Sequence, residues 1–268
     1  MSIRRLLVAV VVGMSLLMLR SSLADDSESA EDALQKGKTS LYQNAYDKTI
    51  ADSTEAIHLN PNDAGAYSNR GNAYNCKGEY DKAIADYTEV IRLRPNNVGA
   101  YCNRGIAYNN KGDFDKAIAD CTEAIRLGPK YAEAYYSRGV SYGAKRDQDK
   151  AIADFSEAIR LAPKDAFAYC SRGNAYYGKG DYDKGIADCT EAIRLAPKFA
   201  IAHCSRGGCY TMKGEHDKAI ADCTEAIRLD PKLADAYYDR GKAYEKKGEK
   251  AEAEKDFSQA KKLGYKPP

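Results

Sequence analysis

The chain has 268 residues, no tryptophan, 21 tyrosines and 30% charged side chains, a profile of helices around a modest core with a well-solvated surface. Its formal charge of +2 makes no electrostatic claim on nucleic acid, which needs a clustered excess of lysine and arginine. Nothing in the composition points to a compact enzyme core.

Residues 1–24 read as an export signal: Arg4 and Arg5, an apolar run from Leu6 to Leu19, then Ser22-Leu23-Ala24 with small residues where a signal peptidase cuts. Cleavage is expected after Ala24. The apolar run of 14 residues falls short of the roughly 20 that span a bilayer. No stable membrane anchor is therefore expected after removal of the signal, and the mature protein is expected to be periplasmic or extracellular. Residues 25–29 begin an acidic stretch without apolar periodicity, a flexible lead-in.

From about residue 30 the chain repeats. Pro61, Pro95, Pro129, Pro163, Pro197 and Pro231 stand 34 residues apart, and a fixed period of that length marks a repeat array. The units are 30–63, 64–97, 98–131, 132–165, 166–199, 200–233 and 234–267. Within 64–97, Tyr67, Gly71 and Tyr74 form one helical stripe, and Tyr80, Ala83, Ile84, Tyr87, Val90 and Ile91 form another. Gly78 suits the left-handed turn between them and Pro95 cannot continue the second. One unit is thus a helical hairpin.

With Tyr67 fourth in its unit, Gly71 eighth, Tyr74 eleventh, Ala83 twentieth, Tyr87 twenty-fourth, Val90 twenty-seventh and Pro95 thirty-second, the unit resembles a tetratricopeptide repeat. The resemblance implies an all-α, right-handed superhelical solenoid of about seven helix-turn-helix repeats over residues 30–265. It also implies about fourteen helices and no separate catalytic domain. One departure recurs: the seventh position, usually a large apolar residue in that family, is Arg70, Arg104, Arg138, Arg172, Arg206 and Arg240 here.

Three units depart from the pattern. The first has Ala33 and Ser53 where later units have aromatics or cysteine. The fourth has Arg146 and Gln148 where its neighbours have glycine and an aromatic or histidine, so its turn is expected to be the least well packed. In the last, Glu254 and Lys261 replace the outward Ile220 and Ile227 of the preceding unit, as suits a terminal repeat facing water.

The recurrent arginines lie at similar hairpin heights to recurrent aspartates, as in Arg70 with Asp86, Arg104 with Asp120 and Arg172 with Asp188. Pairing is the structural expectation, since a half-buried arginine needs a partner; a row of arginines gripping an anionic ligand is the alternative.

Cys102, Cys170 and Cys204 occupy the fifth position of their units, and Cys121, Cys189 and Cys223 the twenty-fourth of those same units. Units that lack one lack the other. In an exported protein this predicts three disulfides within hairpins, against the alternative of small buried hydrophobes copied with the repeats. Cys76 and Cys209 have no such counterpart. His203, Cys204, Cys209, His216 and Cys223 fall in one unit but match no closed zinc pattern. No phosphate-binding loop or hydrolase motif is present, so no metal, cofactor or catalytic residue is expected.

By similarity to tetratricopeptide proteins, the first helices line a concave wall. The residues placed there are Asn72, Asn75, Cys102, Ile106, Asn109 and Asn110, then Tyr136, Val140, Phe167, Cys170, Asn174 and Tyr177, then Ile201, Thr211 and Met212. Such a wall suits an extended peptide or partner helix. The family's mode of holding a C-terminal carboxylate is not expected: Asn72 and Asn103 match it, but Ser68, Glu133 and Ser137 replace its cations. The expected function is a non-enzymatic scaffold binding a peptide or partner protein in the groove. The alternative is an exported carbohydrate or cell-wall binding module, which requires the Tyr136 and Tyr177 rings to be open.

Overall fold

The structure is a computed structural model that describes the backbone of residues 28–266 and the side chains from residue 44; the export signal with Ala24 lies outside the described residues. These residues form thirteen helices and no strand. The chain opens with α1 (Glu28–Leu59), followed by the pairs α2 (Ala64–Cys76) and α3 (Tyr80–Leu93), α4 (Val98–Lys111) and α5 (Phe114–Leu127), α6 (Ala132–Ala144) and α7 (Gln148–Leu161). Then come α8 (Ala166–Lys179) and α9 (Tyr182–Leu195), α10 (Ala200–Lys213) and α11 (His216–Leu229), and α12 (Ala234–Lys247) and α13 (Lys250–Lys262). The fold is an all-α array of helical hairpins.

Local chemistry sets the helix ends. Asp63, Asn97 and Asp165 cap α2, α4 and α8 by accepting first-turn amides, which satisfies donors that no helical carbonyl reaches. The turns inside hairpins need a left-handed residue, supplied for instance by Gly112 at φ 90° and Gly180 at φ 86°. At the equivalent place between α6 and α7 stands Arg146, at φ 65°. The irregular fourth turn thus keeps the left-handed conformation with a residue that resists it.

The first unit differs from the expected hairpin, because residues 28–59 are one continuous helix. Where the next unit turns on Gly78-Glu79, this one has Asn44-Ala45. It lacks the glycine that relaxes a left-handed turn, and alanine, the strongest helix former, takes the place of the second helix's cap.

The described residues divide between two compact bodies, one ending at Ser141 and the other beginning at Tyr142. In the first body, Ala83, Tyr87 and Ala107 pack with Tyr74 and Ile84; Cys102, Ala124 and Ala134 pack with Val98, Tyr101, Ile106, Ile125 and Tyr131. In the second, Ala166, Cys170, Ala192 and Ala202 form one core and Cys204, Ala226 and Ala236 another, sealed by Ile227 and Leu233. Small residues let the helices approach, and a twenty-fourth-position side chain fills the space over the eighth-position glycine. A Cβ on Gly71 would meet the Tyr87 ring at 2.9 Å, and one on Gly105 the Cys121 sulfur at 2.7 Å. Glu254 and Lys261 on α13 are exposed.

Candidate functional site

Most of the recurrent charge is consumed inside the array. Arg70 donates from Nε and Nη2 to the Asp86 carboxylate at 2.9 and 2.8 Å, and from Nη1 to Thr54 Oγ1 in the preceding unit at 3.1 Å. Arg104 repeats this with Asp120 and Thr88, Arg172 with Asp188 and Ser156, Arg206 with Asp222 and Thr190, and Arg240 with Asp256 and Thr224. Each guanidinium closes its own hairpin through a two-point ion pair and reaches the previous hairpin with its remaining amine. It does the work of the expected apolar residue, and the anion-gripping alternative loses its donors. A second series of lysines runs between hairpins: Lys77 to Asp47, Lys179 to Asp149 at 2.5 Å, Lys213 to Asp183 at 2.6 Å and Lys247 to Asp217 at 2.7 Å. These pairs are solvent-exposed on at least one side and contribute little each.

On the first helices of the first body, carboxamides form two rungs. Asn103 Nδ2 donates to Asn72 Oδ1 at 3.3 Å, and the same oxygen accepts from the Tyr87 hydroxyl at 2.8 Å. Asn110 Nδ2 donates to Asn75 Oδ1 at 3.2 Å. Asn72 is exposed, while Asn75, Asn103 and Asn110 are half-buried. Asn103 was absent from the groove list expected from sequence, although its match, with Asn72, to the family's carboxylate-holding positions was the available signal. Asn109, by contrast, is sealed. Its amide donates to Ser137 O and Oγ at 3.0 and 3.1 Å, and its carbonyl accepts from Ser141 Oγ at 2.7 Å, so it satisfies a buried polar cluster. Tyr136 and Val140 are buried, each 3% exposed. Ile106 packs in the Cys102 core.

In the second body, Phe167 tilts against Phe199 with ring centroids 4.8 Å apart, and Ile201 packs into the Cys170 core. Asn174 is half-buried and places Nδ2 4.0 Å from Cys170 Sγ. Tyr177 lies against Tyr182, centroids 5.7 Å apart. Thr211 turns its hydroxyl back to Gly207 O at 3.1 Å, leaving Met212, 52% exposed, as the open apolar residue of this face. A sugar-stacking ring must present an open face, which buried Tyr136 lacks.

All eight cysteines are free thiols, seven of them buried. The three bonds expected from sequence are not formed; the neighbouring Cys170 thiol, with burial, holds the Cys189 thiol well above its ordinary range. Burial first, and then the nearness of the partner sulfur, does the same to Cys102 beside Cys121 and, together with the Asp239 carboxylate, to Cys204 beside Cys223. Cys209 finds a neighbour the sequence did not reveal, with its sulfur 2.8 Å from where Gly185 would carry a Cβ. Among the described residues no three histidine, cysteine or acidic side chains gather as a metal site. His203 instead takes the tyrosine slot, with Nε2 3.2 Å from Pro197 O and Nδ1 3.6 Å from Asp222.

The models for the tetratricopeptide repeat match residues 54–85, 98–131, 132–165, 166–199 and 234–263, and a further model for the same repeat matches 71–112 and 209–248. No curated protein shows significant similarity to the chain. Among solved structures, a tetratricopeptide repeat protein from Parabacteroides merdae ATCC 43184 is similar at 24% identity and TM-score 0.68, over 89% of this chain and 94% of that one. MamA aligns at 31% identity and TM-score 0.52, over 59% and 93%. YrrB, described as a TPR protein with an unusual peptide-binding site, aligns at 24% identity and TM-score 0.54, over 69% and 95%.

Proposed function

The chain belongs to the tetratricopeptide repeat family, whose members bind proteins or peptides, and from that footing we propose that it is a non-enzymatic adaptor holding an extended peptide segment against its first helices. The carrying observation is the pair of carboxamide rungs, Asn72 with Asn103 and Asn75 with Asn110. Asn75, Asn103 and Asn110 each keep a donor and an acceptor to spare and Asn72 keeps its amide donors, the complement of an extended backbone. The surrounding charges are paired to one another, so recognition falls to these amides and to apolar contact at the half-buried Ile106. The peptide-binding site named for YrrB supports the same use of the fold. The reading includes export, with the signal removed after Ala24.

The test is selection of peptides from a displayed library on the wild-type chain, followed by fluorescence anisotropy against Asn75→Ala with Asn110→Ala. The expected result is binding weakened tenfold or more with unchanged helical circular dichroism. Equal affinity would remove the rungs from the site. Export is checked by the N-terminus of the secreted chain, which should be Asp25.

A further inference from the structure

We propose that two copies of the chain exchange the leading halves of their α1 helices, so that residues 30–43 of one copy complete the first hairpin of the other. In the second hairpin, α2 covers α3, and Ala83, Asp86 and Val90 of α3 are buried. At the same register of α1, Thr49 and Asp52 are exposed and Ala56 is only half-buried. Leu59 is 75% exposed, whereas its counterparts Leu93 and Leu195 pack into cores that hold Tyr67 and Tyr169 of the matching first helices. Asp86 and Asp120 receive Arg70 and Arg104; Asp52, in their position, meets no cation among the described residues. Another side of α1 is used as in later hairpins, with Thr54 accepting from Arg70 and Asp47 paired with Lys77. The bare face is thus the one a first helix covers.

The sequence carries the helix that belongs there. Residues 30–43 keep the register of later first helices, with Gly37 in the eighth position and Lys36, a cation, in the seventh. Within one chain they cannot reach the bare face, because α1 runs unbroken from Glu28 through Asn44-Ala45 to Leu59. At about 1.5 Å per residue, Ala30 is carried roughly 20 Å along the axis beyond Asn44. A second copy has the same extended segment and the same bare face. With the two α1 helices antiparallel and crossing a two-fold axis near Asn44-Ala45, each copy covers the other, and Lys36 of each meets Asp52 of its partner. Such an exchange reuses contacts that the hairpin already specifies, which is why a straightened hinge is a low-cost route to a dimer.

Light scattering on the purified full-length chain during size exclusion should give twice the chain mass. Asn44→Gly with Ala45→Glu transplants the Gly78-Glu79 turn of the next hairpin and should give a monomer of unchanged helicity, since the segment then folds back on its own chain. Asp52→Lys should also yield monomer, and adding Lys36→Asp should restore the dimer. With the exposed Cys76 changed to serine, Lys36→Cys with Asp52→Cys should be joined by a short bis-maleimide into a product of doubled mass under denaturing conditions. A wild-type monomer would overturn the proposal, as would a cross-link confined to one chain or a dimer that survives the turn transplant. Because none of these readouts involves a bound peptide, the outcome is independent of the adaptor reading.

Discussion

The Cys209 sulfur stands 2.8 Å from the point a Cβ on Gly185 would occupy, and the two residues depart from the repeat together. The Gly185 slot holds Ala83, Ala117, Ala151, Ala219 and Ala253 in other hairpins, and the Cys209 slot holds Ala73, Ala107, Ser141, Ala175 and Ala243. A larger residue at one is matched by a smaller one at the other. Gly185→Ala alone should destabilise by about 1–3 kcal/mol through overpacking. Adding Cys209→Ala should recover that loss, a coupling well above the few tenths expected of independent sites. Urea unfolding of the two single variants and the double variant gives the cycle; additive effects would break the pairing.

Arg146 holds a left-handed turn at φ 65° that glycine holds in neighbouring hairpins. An L-residue there costs roughly 1–2 kcal/mol, part of which glycine returns as greater freedom in the unfolded chain. Arg146→Gly should therefore raise stability by about 0.5–1 kcal/mol, and Arg146→Val should lower it. Thermal midpoints by circular dichroism decide the ordering.

Arg104 closes its hairpin on Asp120 at 2.7 and 2.8 Å and reaches Thr88 at 3.0 Å. Asp120 is buried, so Arg104→Ala leaves an uncompensated carboxylate and should cost about 3–5 kcal/mol. Thr88→Ala removes the hydroxyl's bonds to Arg104 and to Ile84 O and should cost about 1–2 kcal/mol. Comparable losses in chemical denaturation would mean that the link between hairpins, rather than the ion pair, carries the clamp.

Asp222 is held below the ordinary carboxylate range: burial pushes it upward but is outweighed by hydrogen bonds from Arg206 and by the His203 ring 3.6 Å away. A depressed folded pKa gives stability that is present above the unfolded value, about 3.9 for aspartate, and lost as pH falls through the folded value. The difference in unfolding free energy between wild type and Asp222→Asn should be constant from pH 7 to about 5 and shrink below about pH 4. A difference that grows on acidification would reverse the assignment.

Legibility differed sharply between features. The thirty-four-residue period recurs along the chain, and the hairpin turns and arginine–aspartate pairs concern residues within one hairpin, 16 positions apart for Arg70 and Asp86, so all could be read from spacing. The cysteine bonds expected from the same spacing are not formed, all eight thiols being free. The first hairpin was not legible, because the period passes through residues 30–63 unchanged while the turn chemistry at Asn44-Ala45 lets one helix run through. The face of the first helices was read only in outline: Asn72 and Asn75 lie on its open side, Tyr136 and Val140 lie within, and Asn103 had to be added.

Asn109 and Asn110 mark where sequence and tertiary structure part. By itself the sequence determined an array of helical hairpins, because caps, glycine turns, proline stops and apolar stripes act over a few residues and recur at a fixed period. Nothing local distinguishes those two adjacent asparagines. One is sealed by Ser137 and Ser141 on the next hairpin, and the other is paired with Asn75 on the previous one at a half-exposed edge. Successive residues point about 100° apart on a helix, so which of them meets a neighbour and which meets solvent is decided only when the hairpins pack. The same packing set Cys209 over Gly185, across a hairpin boundary that no spacing rule crosses.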